Sequence, residues 1–516
     1  MKRILFFLSA LFLSAQSFGQ VTSEYIDSVV NRSLKVMPQA GVAVAVVQNG
    51  KVIHSKGYGI ASKETGEKVD KNTLFSIASN SKAFTTTALG ILIDQGKLNW
   101  TDRVVDIIPE FRMYAPYVTE HFMVIDLITH RSGLGLGAGD LMFIPDGSDF
   151  QVDEVLTSFQ YQEPTSEFRT KYDYDNLLYI VAGEVVYRIS GKPWDLFVQD
   201  EIMKPLGMTR SVGYRENIKS PSNIAMPHSS ENGKVEELNE YSDPNKVFGA
   251  AGGIYSSVVD LSKWMQMHLN GGTFNGMTLL SEETQAKMWE AQTILAFTAE
   301  GKGMYNSHYR AYGLGWFLKD ENGYTIVSHT GGMPGMLSQT VLIPELNAGI
   351  VVLTNAAPGG YSFVSVVNEI KEVLIGADNF DWIEAMEENI KASEQEANAF
   401  VEEVWETCKK ANTKNLVLKD YEGTYSDDWF GEIVIENRDG KLWFVSKRSP
   451  RLTGEMFYYK ANTFAIKWNY KEMNCDAFAS FTLDETGKAT EIKMKGISPN
   501  IDFSFDFHDL DLQRIE

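Results

Sequence analysis

Strand-like segments at two distant parts of the chain restrict the fold most. Residues 41–47 form a continuous apolar run, Asn49-Gly50 is a strong hairpin signal, and residues 51–58 return as a second strand. Two further strand-like runs, residues 340–343 and 349–354, lie far along the chain. Because buried apolar strands need partners, we expect both ends of this region to join in one antiparallel sheet.

The region between these strands has a different pattern. Residues 79–288 are mostly helical in periodicity and are interrupted by long loops. Together with the sheet, they predict an α/β fold in which an antiparallel sheet is flanked by helices and joined to a helical lobe. We assign this domain to residues 21–375 and expect its active site in the cleft between lobe and sheet.

The pattern of residues changes twice in the C-terminal part of the chain. Residues 376–414 mix many glutamates with spaced apolar residues, which predicts a charged helical connector. Residues 415–516 show period-two aromatic runs with hairpin signals at Asp439-Gly440 and Thr486-Gly487, which predicts a small all-β barrel. Its role stays open between a ligand pocket, an oligomer contact, a lid over the active site and a packing module.

Ser79 and Lys82 form the first candidate catalytic pair. Three residues apart at the start of a predicted helix, their side chains would share one face, with the amine close to the hydroxyl. A free lysine has a pKa near 10.4, so Lys82 would need burial or a neighbouring cation to act as a base at pH 7. The backbone N–H of Ser79 at the helix start would favour an oxyanion.

Two later segments can complete this site. Tyr174 could relay the Ser79 proton to a leaving group if Lys82 lowered the tyrosine pKa below about 10, and Asn176 could hold a substrate amide and the lysine amine. His329, Thr330 and Gly331 follow one strand-like run and precede another. A glycine-rich strand of this kind lets a substrate approach closely, and Gly332 offers a second N–H to the oxyanion.

These motifs resemble one family of serine hydrolases. Further similar segments are residues 128–134 (Ile-Thr-His-Arg-Ser-Gly-Leu), residues 205–211 (Pro-Leu-Gly-Met-Thr-Arg-Ser) and residues 251–256 (Ala-Gly-Gly-Ile-Tyr-Ser). Their order along residues 25–370 resembles the serine β-lactamase-related hydrolases, which include class C β-lactamases, D-Ala-D-Ala carboxypeptidases, D-aminopeptidases and related esterases. The C-terminal region resembles the lipocalin-like domains attached to some of these enzymes.

The resemblance implies a β-lactamase/penicillin-binding-protein-like fold and a set of roles. Ser79 would be the nucleophile, Lys82 and Tyr174 the proton-transfer pair, and Asn176 the polar anchor on the substrate side. The chain departs from the β-lactamases at His329, where their motif has a lysine that helps to hold the substrate carboxylate. An unperturbed histidine loses its charge near pH 6.5, so β-lactam hydrolysis is not expected to be strong.

The N-terminus and the net charge bear on localisation and partners. Lys2 and Arg3 precede an apolar run at residues 4–13, which is typical of a secretory signal peptide over residues 1–20. We therefore expect a secreted or periplasmic protein without a membrane span. The formal charge of −21 argues against nucleic-acid partners, because phosphate backbones would be repelled.

Cysteine and histidine usage gives little sign of metal or redox chemistry. Cys408 and Cys475 are the two cysteines, and a disulfide and two free thiols are equally compatible with their positions. The eight histidines lack the close-paired spacing of metal ligands, and His130 is better explained as a hydrogen-bonding residue of a turn or helix end. We expect no metal and no cofactor; the oligomeric state is open.

The sequence thus predicts a secreted serine hydrolase that forms an acyl-enzyme on Ser79. Esters, D-amino-acid peptides or related amides are the expected small-molecule or peptide substrates. An acyltransferase that uses an alcohol or amine as acceptor shares the first half-reaction and is an alternative. A penicillin-recognising binding protein or sensor without turnover is a second alternative.

Overall fold

The computed structural model describes residues 21–297, 305–378 and 380–516. The signal peptide predicted for residues 1–20 lies outside this described part. Within it, no helix combines the length and the apolar character that a membrane crossing requires. The same residues contain no group of three or more His, Cys, Asp or Glu side chains arranged to hold a metal.

An antiparallel sheet organises the N-terminal domain. The described strands are β1 (Gly41–Gln48), β2 (Lys51–Gly59), β3 (Thr293–Ile294), β4 (Arg310–Tyr312), β5 (Phe317–Glu321), β6 (Tyr324–Met333), β7 (Met336–Ile343) and β8 (Ala348–Thr354). Their order across the sheet is β2-β1-β8-β7-β6-β5-β4-β3. β1 pairs with β8, with Val44 opposite Val352. This confirms the prediction that strands from the two ends of this region join in one sheet.

Helices cover both faces of this sheet. Even-numbered positions of β1, such as Val44, belong to a core shared with the helices Ser23–Val36 and Ser362–Ile375. Odd-numbered positions, such as Ala45, belong to the core that contains the helix Val258–Leu269. Successive side chains of a strand point to opposite faces, which explains why β1 is apolar at nearly every position.

The helical lobe lies between β2 and β3 in the chain. Its centre is the helix Ser81–Asp94, which we call the central helix and which is buried along almost its whole length. The lobe also contains three two-residue strand pairs, such as Phe75–Ser76 with Tyr255–Ser256. The other described lobe helices are Val104–Ile107, Pro116–His121, Val152–Ser158, Leu177–Ser190, Trp194–Val198, Gly249–Gly252, Val258–Leu269 and Glu282–Met288.

A connector helix and a closed barrel follow the sheet domain. The connector helix, Trp382–Lys410, packs Ile383 against the sheet-domain core and Val404 against the barrel. The barrel strands are β9 (Gly423–Asp427), β10 (Gly431–Arg438), β11 (Lys441–Ser446), β12 (Thr453–Lys460), β13 (Thr463–Trp468), β14 (Ala477–Leu483), β15 (Ala489–Gly496) and β16 (Leu512–Arg514). β16 pairs with β9 and closes the barrel. The predicted fold class is therefore confirmed.

The barrel packs directly on the helical lobe. Arg448 donates two hydrogen bonds to Glu154, at 2.8 and 2.9 Å, and one to Asp149, while its guanidinium lies 4.1 Å from the ring centroid of Phe150. Apolar residues of lobe and barrel belong to one continuous core. Cys408, in the connector helix, and Cys475, in the barrel, are both free thiols, so they do not form a disulfide.

A buried ion pair fixes the helix Ser362–Ile375 on the sheet. Glu321, at the end of β5, lies 2.6 Å from the Lys371 ammonium and 2.5 Å from that of Lys319. The Lys371 side chain is 3% exposed, whereas that of Lys319 is 34% exposed. The two lysines therefore contact the same carboxylate but differ in burial, so they can be compared directly by substitution.

We expect Lys371→Met to destabilise the protein more than Lys319→Met. Loss of the buried member of an ion pair typically costs about 3 kcal/mol, and Lys319, which would still contact Glu321, reduces this cost only in part because its ammonium is partly in water. Exposed pairs contribute less than about 1 kcal/mol. Thermal unfolding at pH 7 should show a drop of several degrees for Lys371→Met and a small change for Lys319→Met. Equal shifts for the two variants would contradict this account.

Candidate active site

Ser79 lies in a tight turn that leads into the central helix. Ala78–Asn80 form a 3₁₀ turn, and the helix begins at Ser81, two residues after the predicted start. Ala78 has a φ of 44°, in the left-handed region that is unfavourable for a residue with a Cβ. The surrounding structure must therefore hold this turn in place.

Strands β6 and β7 hold the turn that contains Ser79. Asn80 Nδ2 donates a hydrogen bond of 2.8 Å to Ser338 Oγ, which in turn donates one of 2.8 Å to the carbonyl of Ile77. Gly331 runs so close that a Cβ at this position would lie 2.1 Å from the Ile77 oxygen and 3.0 Å from the Ser79 nitrogen. Glycine is therefore the residue that fits, and it brings the edge of β6 against Ser79.

The Lys82 amine is enclosed by three oxygen atoms. Nζ lies 3.1 Å from Ser79 Oγ, 2.6 Å from Asn176 Oδ1 and 2.9 Å from the carbonyl oxygen of Ala251, and the residue is fully buried. The amide and carbonyl oxygens can only accept hydrogen bonds. A neutral amine that donates its two hydrogens to them must turn its lone pair toward the Ser79 hydroxyl.

Burial favours this neutral amine. It lowers the pKa of Lys82 to about 7, against the opposing charges of Asp140 and Asp175, which raise that pKa. Asp175 is itself fully buried, and burial raises its pKa to about 7. The site therefore contains a lysine that can release and accept a proton near neutral pH.

Tyr174 contacts both members of this pair. Its hydroxyl hydrogen-bonds to Ser79, and the Lys82 amine lies 4.7 Å from its ring centroid. Burial raises the pKa of Tyr174 well above its usual value, and the hydrogen bond to Ser79 lowers it only in part. The sequence-based expectation of a lowered pKa differs from this result, so at neutral pH the phenol carries its proton.

Asn176 precedes the helix Leu177–Ser190 and uses both ends of its amide. Its Oδ1 accepts from Lys82, and its Nδ2 donates a hydrogen bond of 2.7 Å to Asp140 Oδ2. His130, with a φ of 52°, supports the same segment: its Nδ1 accepts from the Asp175 N–H at 3.1 Å. Because burial holds the pKa of His130 well below its usual value, the ring is neutral.

His329 lies in β6 with both ring nitrogens engaged. Nδ1 is 2.6 Å from the carbonyl oxygen of Thr330, to which it can only donate, so Nε2 accepts from the Tyr312 hydroxyl at 3.0 Å. Burial, followed by the Lys82 charge, lowers the pKa of His329 to about 3. The ring is neutral at ordinary pH, unlike the unperturbed histidine considered from the sequence.

These residues open into a cleft of about 890 Å³ between the lobe, the sheet, the connector helix and the barrel. The sequence-predicted site residues all line it except Lys82, which lies beneath Ser79. Among the described residues that line the cleft, none is a lysine or arginine. Four are acidic, and many others are amides or apolar; the acids are Glu231, Glu394, Glu472 and Asp502.

Three contributors to the site were not predicted from the sequence. They are the carboxylate of Asp140, the carbonyl of Ala251 and the hydroxyl of Tyr312. Asp140 could have been recognised from the sequence, because the apolar residues 141–144 that follow it predict a buried segment. A buried carboxyl group needs hydrogen-bond donors. The Ala251 carbonyl could not have been recognised in this way, because every residue has a backbone oxygen and only the tertiary structure decides which one contacts Lys82.

Two family models match the chain. The model described as Beta-lactamase matches residues 30–369, and the Domain of unknown function (DUF3471) matches residues 407–514. A similar relative is the Unguisins hydrolase ungD of Aspergillus violaceofuscus, 27% identical over 443 residues, which are 80% of this chain and 76% of the relative. Protein flp of Staphylococcus aureus is 25% identical over 337 residues, 65% of this chain and 63% of flp.

Solved structures share the fold. The octameric penicillin-binding protein homologue from Pyrococcus abyssi superposes with a TM-score of 0.60 at 18% identity, over 95% of this chain and 99% of that one. EstCE1, a hydrolase with promiscuous acyltransferase activity, superposes with a TM-score of 0.57 at 18% identity, over 68% of this chain and 97% of its own. The resemblance drawn from the motifs is confirmed, and because its model spans more than half of the chain, this protein belongs to the beta-lactamase family.

Proposed function

We propose that this protein is a serine hydrolase that forms an acyl-enzyme on Ser79 and transfers the acyl group to water. The observation that carries the proposal is the buried Lys82 amine. The amide oxygen of Asn176 and the carbonyl oxygen of Ala251 can only accept hydrogen bonds from this amine. The lone pair of the neutral amine is therefore left for the Ser79 proton. This is the arrangement that activates a serine nucleophile.

Acylation would begin with proton transfer from Ser79 Oγ to Lys82 Nζ as the oxygen attacks the substrate carbonyl. The negative charge on the carbonyl oxygen would be held by the N–H groups of Ser79 and Gly332, at the point where β6 runs against the turn. Tyr174, whose phenol keeps its proton, would donate it to the departing oxygen or nitrogen and regain one from Lys82. Water would then attack the ester, and the same groups would work in reverse.

The cleft lining favours neutral or cationic acyl donors. It contains carboxylates and amides but, among the described residues, no lysine or arginine to hold an anionic group. His329, neutral and engaged by Tyr312 and Thr330, cannot replace the lysine of the β-lactamase motif. Esters and peptide-like amides, D-amino-acid peptides included, are therefore proposed ahead of substrates with a free carboxylate. We place the reaction outside the cytoplasm, on the N-terminal sequence alone.

The acceptor distinguishes the remaining alternatives. The name of the relative ungD describes a hydrolase, whereas EstCE1 is described as having promiscuous acyltransferase activity. Mass spectrometry of the released small molecule, with water alone or with added alcohol, separates the two, because the first product is an acid and the second an ester; the intact protein is measured in parallel for a covalent adduct. A stable adduct in both conditions would support a binding protein without turnover.

Substitution of Ser79 tests the proposed function. Ser79→Ala should abolish labelling by a fluorophosphonate probe, and Lys82→Ala should slow it by about 10³-fold or more, since the two side chains act as one unit. Ser365→Ala, which removes a buried hydroxyl in a distant helix, is the control and should label normally. The proposal fails if Ser79→Ala is still labelled and still hydrolyses ester at the normal rate.

The pH dependence should report Lys82 rather than His329. Below about pH 7 the Lys82 ammonium lacks a lone pair, so kcat/KM should rise with pH to a plateau, with an apparent pKa near 7 that belongs jointly to Lys82 and Asp175. Because the pKa of His329 is about 3, its charge does not change in this range.

Two matched esters make this test specific. A p-nitrophenyl ester with a free carboxylate on its acyl chain should react more slowly than its methyl-ester analogue, by a constant factor between pH 6 and 9. An additional inflection near pH 6.5 for the carboxylate substrate alone would contradict a neutral His329.

A further inference from the structure

One segment of the barrel enters the active site. Residues 498–506, which we call the barrel segment, are part of the connection between β15 and β16; they leave the barrel and reach the helical lobe. The ring of Phe503 meets the ring of Tyr174 edge-on, with centroids 5.8 Å apart. Asp506 is fully buried and accepts the backbone N–H groups of Gly139 at 2.7 Å and Leu141 at 3.0 Å.

A line of buried hydrogen bonds runs from this segment to the lysine amine. Ser504 Oγ donates to Asp140 Oδ2 at 2.7 Å, and Asn176 Nδ2 donates to the same oxygen at 2.7 Å. Asn176 Oδ1 then accepts from Lys82 Nζ at 2.6 Å. Asp140, Asn176 and Lys82 are each at least nine-tenths buried, and Ser504 is 8% exposed.

The order of donors and acceptors gives this line a direction. An amide presents an oxygen on one side and an NH₂ group on the other, and Asp140 Oδ2 accepts the hydrogen bonds of both Asn176 and Ser504. Asp140 therefore draws the NH₂ of Asn176 toward itself and leaves the amide oxygen facing Lys82. Without Asp140 in place, the amide could turn and present a donor to the amine.

The barrel holds Asp140 at two points. The carboxylate of Asp506 binds the backbone on either side of Asp140, and the hydroxyl of Ser504 binds its side chain. The other carboxylate oxygen of Asp140, Oδ1, has no hydrogen-bond partner among the described residues. Ser504 and Asn176 thus provide the two hydrogen bonds that orient this side chain.

We propose that Ser504 is a positioning residue for the catalytic lysine, acting through Asp140 and Asn176, and that the barrel completes the active site. The inference rests on the proposed role of Lys82 as the base for Ser79. It also assigns a role to the C-terminal domain that the sequence left open. Substrate chemistry then depends on a docked barrel, although no barrel side chain need react.

Charge gives this role a measurable signature. Burial raises the pKa of Asp140 well above its usual value, and the hydrogen bonds from Ser504 and Asn176 lower it in part. The negative charge of Asp140 in turn raises the pKa of Lys82. Loss of the hydroxyl should therefore lower the Lys82 pKa and move the rise of kcat/KM to lower pH. Other ionisable groups that face Asp140 or Lys82 stay in place; they are Asp175, Asp506, His130, His329, Tyr174 and Tyr179.

Three full-length variants test the proposal with p-nitrophenyl acetate. Ser504→Ala should lower kcat by about tenfold to a hundredfold, with a smaller change in KM, since a small misplacement of a catalytic group costs this much. Ser504→Thr, which keeps the hydroxyl, should recover most of the loss. Ser449→Ala removes another buried barrel hydroxyl, one without a partner among the described residues, and should behave as the unmodified protein.

The outcomes separate this inference from the proposed function. Wild-type kcat and an unchanged pH profile in Ser504→Ala would overturn the positioning role while leaving the role of Ser79 intact. If Ser504→Ala proves unstable, Ser504→Thr decides: a folded threonine variant that stays slow would equally overturn it. Activity that survives Ser79→Ala would instead contradict the proposed function itself.

Discussion

The arrangement of this active site depends on the burial of one amine. Removing the Lys82 amine from water weakens its charged form, and the protein offsets the loss with three oxygen atoms placed around it. Each oxygen comes from a different part of the lobe: the turn before the central helix, the start of the helix Leu177–Ser190, and the short helix Gly249–Gly252. The packing of the lobe is thus what fixes the proposed proton acceptor beside Ser79.

Much of this arrangement could be predicted from the sequence. The apolar runs at both ends of the sheet domain predicted which strands pair, and the period-two runs after residue 415 predicted the barrel, because both patterns are local and repeat. Ser79, Lys82, Tyr174, Asn176 and the β6 motif could be selected by residue type and by resemblance. The structure brings them together: all line one cleft except Lys82, which lies beneath Ser79.

Other features could not be predicted because they arise from tertiary burial. The protonated Tyr174 and the neutral His329 follow from the exclusion of water, which no local pattern encodes. The Ala251 carbonyl is a backbone atom and leaves no trace in composition. The contact between the barrel segment and Asp140 joins residues more than 350 positions apart. A single amino-acid sequence, taken alone, does not reveal which residues so far apart come into contact.

The closure of the barrel has a consequence for biogenesis. β16 follows every proposed catalytic residue in the chain and pairs with β9, so the barrel cannot close before β16 has been synthesised. Contacts this distant in sequence form slowly, because a long loop must close before they contribute. On the proposed arrangement, the nascent polypeptide carries its nucleophile from an early stage of synthesis but lacks an oriented base until the barrel segment has been made and has docked on Asp140. Such a chain would stay latent until its barrel had folded against the lobe.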